Sequence, residues 1–241
     1  MKTEKFPSKK SIALLLDPDK AKGDSLPDIL KIAVKCNPDY ILAGGSLTFS
    51  GIDNMIDAVK RLCSIPVVLF PGNLLQLTHK ADIIMLLSLI SGRNPELLIG
   101  NHVIAAPFLK NDREKIVPVG YILVSCGAKT SVEYVSQTEA IPSNKPDIVV
   151  ATALAGEMLG LKMIYLEAGS GATKPVPSEI VKAVRENISI PIAVGGGIKK
   201  KKEIEDIYKA GADLIILGNS CEKDPGLLSD ACRIRDSFRN N

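Results

Sequence analysis

Residues 191–198 read PIAVGGGI, and residues 214–220 read LIILGNS. Each is a short apolar run that stops at glycine. Neither alternates apolar with polar residues, as a strand with one wet face would. Strands buried on both faces, in a parallel sheet covered by helices, read this way. The glycines let backbone N–H groups turn toward a ligand and let that ligand come close. The helix expected after each loop adds partial positive charge at its start. Two such loops side by side make a cradle for a phosphate dianion. A phosphate site after the last two strands is the arrangement of a (β/α)8 barrel.

The same kind of run occurs eight times. Strands are expected at Ile12–Leu16, Tyr40–Ala43, Pro66–Phe70, Ile83–Leu87, Ile116–Val124, Met163–Leu166, Ile190–Val194 and Leu214–Leu217. Between them the pattern predicts helices near Asp24–Cys36, Asp53–Leu62, Pro95–Ala105, Ile148–Leu159, Ser178–Glu186 and Lys199–Ala210, with a last one near Pro225–Phe238. The third connection, Asn73–His79, is a short, irregular helical piece. The fold class is therefore α/β, a single TIM barrel over residues 1–241, with no linker in view. A doubly wound sheet is the competing architecture, and the count of eight favours the barrel. Ser125–Pro146 is the longest loop-like segment and reads as a lid, a binding loop or a surface excursion.

Bulk composition narrows the function. Net charge is +3 at 241 residues, too little for the basic stripe of a nucleic-acid binder. Aromatic residues make up 4% and Trp is absent, so Ile, Leu, Val and Ala must fill the core. The cysteines, Cys36, Cys63, Cys126, Cys221 and Cys232, show no CxxC pair and no Cys/His metal spacing. They read as free thiols of a reducing, cytoplasmic compartment. MKTEKFPSKK at the start has no apolar signal core, and no run of about 18 apolar residues occurs. Membrane contact, if any, is expected to be peripheral.

Barrel enzymes work at the C-terminal ends of their strands. The first strand ends in Asp17-Pro18-Asp19, so Asp17 is a carboxylate at a strand tip. The second ends in Gly44-Gly45-Ser46, placing a hydroxyl at the neighbouring tip. Asp17 with Ser46 is a candidate partial shell for Mg²⁺, completed by water and substrate phosphate. The sixth run ends in YLEAGSGA at 165–172, a carboxylate followed by two glycines around a serine. Lys199–Lys202 put four cations at a helix start, where they oppose the helix dipole. They read as a solvated face, or as attraction for anionic substrates or a membrane surface. His79 and His102 sit at no strand tip, and Cys126 has no His beside it.

YLEAGSGA, GGGI at 195–198, GN at 218–219, DPDK at 17–20 and GGS at 44–46 together resemble the geranylgeranylglyceryl phosphate synthase family, which includes the bacterial heptaprenylglyceryl phosphate synthases. Ser88–Pro95 and Leu98–Gly100 also look like that family, and the likeness runs over essentially the whole chain. The resemblance implies a prenyltransferase. The 3-hydroxyl of sn-glycerol 1-phosphate attacks C1 of a polyprenyl diphosphate, expected to be geranylgeranyl, and diphosphate leaves. It implies Mg²⁺ on Asp17 and Ser46. It assigns glycerol phosphate to Tyr165, Leu166, Glu167, Ala168, Gly169, Ser170 and Gly171, with Gly196, Gly197, Gly218 and Asn219. Glu167, with Tyr165, would be catalytic, Glu167 accepting the hydroxyl proton. A dimer or hexamer is implied as well. One branch of the family carries a Lys two residues before the metal Asp. Leu15 stands there in this chain, so it departs from that branch, and Lys20 is the substitute candidate.

The prenyl tail requires an apolar groove, and Leu87, Ile90, Ile99, Ile104 and Phe108 are its candidate walls. Tyr121 and Tyr134 are candidates to stack on an isoprene unit. The second reading of the same strand tips is a barrel isomerase or lyase of a sugar phosphate. That reading needs another acid or base at a strand tip. A flavin-binding barrel and a non-catalytic scaffold complete the alternatives.

Overall fold

A computed structural model describes residues 6–240 except 8, 22, 24, 128 and 225. Among the described residues there are nine parallel strands: β1 Ser11–Leu16, β2 Tyr40–Ala43, β3 Val67–Leu69, β4 Ile83–Leu89, β5 Ile116–Ser125, β6 Ile141–Pro142, β7 Met163–Glu167, β8 Ile192–Gly195 and β9 Leu214–Leu217. All but β6 form one closed ring, β4-β3-β2-β1-β9-β8-β7-β5, sealed where β4 pairs with β5. This is the eight-stranded barrel that the eight apolar runs predict, and the doubly wound alternative is set aside.

The helices are α1 Ser25–Cys36, α2 Ile52–Leu62, α3 Asn101–Leu109, α4 Ser131–Ser136, α5 Pro146–Met158, α6 Ser178–Arg185, α7 Lys201–Lys209, α8 Asn219–Lys223 and α9 Gly226–Arg239. The expected starts of α1 and α9, Asp24 and Pro225, lie outside the described residues. The third connection holds a single 3-10 turn, Leu74–Gln76, in place of a full helix. Most outer helices are held by one apolar stripe. In α2 it is Ile52, Met55, Ile56 and Val59, spaced to fall on one face.

Strand periodicity sorts the apolar residues into two cores. Ile12, Leu14, Leu16, Ile164, Leu166, Ala168, Val194 and Leu217 face out and pack under the helices. Ala13, Leu42, Val68, Met85, Val119, Tyr121, Tyr165, Ala193 and Ile216 face in and fill the barrel. Ser125–Pro146 is not a plain loop. It carries α4 and β6, with β6 paired to the end of β5. Thr130 and Glu133 cap α4 reciprocally, which fixes so short a helix.

Candidate active site

Alternation along β7 sends Tyr165 and Glu167 to the same side, into the mouth of the barrel. Glu167 is 6% exposed. One carboxylate oxygen, Oε2, accepts a hydrogen bond from the Tyr165 hydroxyl. The other, Oε1, accepts one from the Gly169 amide at 2.7 Å. Burial pushes the carboxyl up, against the two hydrogen bonds that favour its ionised form. The Tyr165 hydroxyl is raised well above its ordinary value, by burial first and by the Glu167 charge second, so it stays a donor. Phe70 and Tyr121 pack edge-on against the Tyr165 ring, at 5.6 Å and 5.1 Å between centroids, and fix its direction.

The GGG sequence is explained by what surrounds it. A Cβ on Gly195 would stand 2.1 Å from the Tyr165 hydroxyl oxygen. Gly196 has φ +79°, and a Cβ there would stand 2.3 Å from Glu167 Oε1. The loop after β8 therefore lies directly against the carboxylate, which only glycine permits.

A polar belt crosses the mouth. Lys20 Nζ donates to Asn219 Oδ1 at 2.8 Å, and Asn219 Nδ2 donates to Ser170 Oγ at 3.2 Å. Lys20 Nζ is also 3.8 Å from Asp17 Oδ2. The loops after β1, β9 and β7 are thus tied together. Asp19 accepts from the Phe49 and Ser50 amides at 2.7 Å and 2.8 Å, pinning the loop after β2. Gln76 donates to the Gly45 carbonyl at 2.8 Å from the other side. That loop sets Gly45 against Asp17, with a Cβ position 3.3 Å from the carboxyl carbon.

These tips enclose a cleft of about 1820 Å³. Its walls include Asp17, Ser46, Tyr165, Glu167, Gly169, Ser170, Gly171, Gly196, Gly197, Gly218 and Asn219, so the expected site residues converge. Leu166 and Ala168 do not. They face the helix layer, and their side chains line no part of the cleft. Within the segment read as a lid, a binding loop or a surface excursion, Lys129, Val132, Tyr134 and Gln137 form one wall; of these four, sequence reasoning singled out Tyr134 alone. Lys199 lines the cleft and donates to the Ala172 and Thr173 carbonyls, whereas Lys201 and Lys202 pair with Asp230 and Asp206. Burial pushes the Cys126 thiol up to about 11, so it stands protonated near neutral pH.

A smaller apolar groove of about 160 Å³ shares Gly45, Ser46, Phe70, Tyr121, Val132 and Val135 with the cleft. Leu74, Leu77, Leu86, Leu87, Leu97 and Ala105 also line it. Of the expected walls Leu87 is present. Ile99, Ile104 and Phe108 are exposed on the outer side of the barrel, and Ile90 packs into the outer core. Tyr121 sits where groove and cleft meet, while Tyr134 is 87% exposed at the rim. His102 also lines the groove, and burial pushes its imidazole down, so it stands neutral. His102 Nδ1 and Ser136 Oγ, both in this groove, are buried side-chain atoms without a partner among the described residues.

Among the described residues, no three His, Cys, Asp or Glu side chains gather as a metal-binding group. Asp17 and Ser46 stand at adjacent tips of the cleft instead. So sparse a donor set fits Mg²⁺, which keeps waters and phosphate oxygens in its shell. It does not fit zinc, which takes three or four protein ligands.

The PcrB family matches residues 6–234 of the chain. A geranylgeranylglyceryl phosphate synthase of Spirosoma linguale is 46% identical, over 98% of this chain and 96% of its own. One of Chitinophaga pinensis is also 46% identical, over 92% and 88%. Among solved structures, (S)-3-O-geranylgeranylglyceryl phosphate synthase of Thermoplasma acidophilum, in complex with its substrate sn-glycerol-1-phosphate, superposes with a TM-score of 0.90 at 28% identity, covering all of both chains.

Proposed function

The chain belongs to the PcrB family, and on that premise we propose that it joins the 3-hydroxyl of sn-glycerol 1-phosphate to C1 of a polyprenyl diphosphate, geranylgeranyl first among them, releasing diphosphate. The observation that carries this reading is a junction. A buried carboxylate wrapped by glycine loops opens onto a groove of leucines through a shared wall. A polar pocket alone would serve a sugar-phosphate isomerase or lyase; the groove has no use there.

The glycines at 169, 171, 196, 197 and 218 let backbone close around the glycerol phosphate, with Asn219 and Ser170 set between them. Holding the alcohol there turns a bimolecular encounter into a positioned one. Glu167 accepts the hydroxyl proton as the C–O bond forms, and its raised pKa makes it a better base than an exposed carboxylate. Tyr165 holds the carboxylate in one orientation. Asp17 and Ser46 would hold Mg²⁺ beside the diphosphate, and the ion would neutralise charge on that leaving group. Phe70 and Tyr121 stand where the prenyl C1 must pass. Residues 129–139 line the cleft beside this point, and closing over the bound substrates they would keep water from the reacting carbon.

The direct test incubates the pure protein with Mg²⁺, sn-glycerol 1-phosphate and a series of polyprenyl diphosphates, following diphosphate release. Release that depends on the alcohol supports the reading; none at any chain length overturns it. Leu97→Trp, which thickens the groove wall, is expected to lower use of a geranylgeranyl donor relative to a geranyl donor by about tenfold. An unchanged ratio would place the tail elsewhere.

Homo-oligomerisation belongs to the same proposal. Ile99, Val103, Ile104 and Phe108 in and before α3, and Ile148, Met158 and Leu159 in and after α5, expose large apolar side chains on the outside of the barrel. Light scattering is expected to give a dimer or hexamer mass in place of 25.8 kDa.

A further inference from the structure

Cleft and groove open on the face built by the loops after the strands, and large apolar side chains project into solvent around that opening. Phe49, between β2 and α2, is 86% exposed, and Leu75, in the turn after β3, is 95% exposed. Leu47, Tyr134 and Val135 are exposed beside them. Three loops distant in sequence thus present their apolar residues at one end of the barrel. This surface is continuous with the interior: Leu47, Tyr134 and Val135 also line the cleft, and Val135 and Leu74 line the groove.

The rim is also basic. Lys20, Lys129, Lys174, Lys199 and Lys200 are exposed on loops of the same face. Several of its carboxylates are turned to backbone: Asp19 to Phe49 and Ser50, Glu133 to Thr130, Glu203 to Lys199 and Lys200, Asp224 to Gly226. Glu139 stands exposed among them. Two copies meeting face to face here would bring their lysines together. A surface of opposite charge with an apolar interior has no such conflict.

We propose that this rim docks the barrel on an anionic lipid bilayer. Phe49 and Leu75 seat in the headgroup boundary, the lysines lie over the headgroups, and the groove opens at the membrane surface. Among the described residues no helix is long and apolar enough to cross a membrane, so the attachment is peripheral. The use of such docking, delivery of a membrane-borne prenyl donor, rests on the reading above. The docking itself does not require it.

The test floats the full chain with vesicles of phosphatidylcholine alone, and with about a third phosphatidylglycerol. Binding to the anionic vesicles, weakened by added salt, is expected. The double variant Phe49→Ser/Leu75→Ser should lose about tenfold or more in vesicle binding. Its turnover with a short, water-soluble donor should stay within about twofold of the unaltered chain, since neither residue lines the cleft or the groove. A chain that ignores both vesicles, or a double variant that binds as well as the parent, overturns the proposal. So does a double variant whose only change is lost self-association by light scattering, which would make the rim a contact between copies. Vesicle binding without any turnover keeps the docking and removes the prenyl reading; turnover without vesicle binding does the reverse.

Discussion

Glu167→Gln is expected to lower kcat by about 10²–10⁴-fold while changing sn-glycerol 1-phosphate affinity by no more than a few-fold. Gln keeps the shape of the side chain. Its amide oxygen can still accept from the Gly169 amide, so the glycine loops stay where they are. What it lacks is an acceptor for the hydroxyl proton. The same substitution should not lower the Tm at neutral pH. Burial has raised the folded-state pKa of this carboxyl above its ordinary 4.5. The stability it lends is therefore fully present below the unfolded value and is lost as pH rises through the folded one. Where this carboxyl is ionised the fold carries a charge it disfavours, and Gln removes it. In the unaltered protein kcat should rise with pH along an acid limb lying above the usual carboxylate range, and Glu167→Gln should abolish that limb. Steady-state pH profiles, calorimetric titration with the alcohol and a thermal scan check the three parts. Equal losses in kcat and affinity would recast Glu167 as a binding group. A lowered Tm would make it a structural one.

That prediction draws on features the sequence shows unequally. The strands were legible because burial on both faces leaves an unbroken apolar run, and Asp17 and Glu167 stood out as charges ending such runs. The same property hid the facing. In Met163–Glu167 every residue is buried, one set by helices and one by the barrel interior. Nothing in the string separates Tyr165, which turns inward, from Leu166, which does not. Counting back by twos from the carboxylate would have separated them, since Glu167 has to face the cleft. The groove was misread for a related reason. Helix α3 is apolar around its circumference, so periodicity could not tell Ala105, on the groove, from Ile104 and Phe108, on the outside. Residues 125–146 hold a six-residue helix and a two-residue strand. Elements that short are fixed by capping and by tertiary pairing, and leave no repeat to read.

Asp17→Ala should lower kcat/KM by about 10³-fold and remove its dependence on Mg²⁺ concentration, because the electrostatic relief of a leaving diphosphate is worth several kcal/mol. The fold should tolerate the change. Asp17 is partly exposed at the end of β1; its Oδ1 accepts one bond, from the Asp19 amide at 3.0 Å, and its Oδ2 faces Lys20 at 3.8 Å. That lysine supplies the rival explanation. If the carboxylate served only to place Lys20 against Asn219 and the phosphate side, Lys20→Ala would reproduce the loss and leave the Mg²⁺ dependence intact. If it supplies the metal oxygen, Lys20→Ala should cost far less, and Asp17→Asn should need much more Mg²⁺ to approach the unaltered rate. Mg²⁺ titrations of the three variants under matched ionic strength separate the two. Full activity in Asp17→Ala would remove both roles from this residue and leave the positive charge for the leaving group to be found among Lys20, Lys129 and Lys199, the lysines that line the cleft.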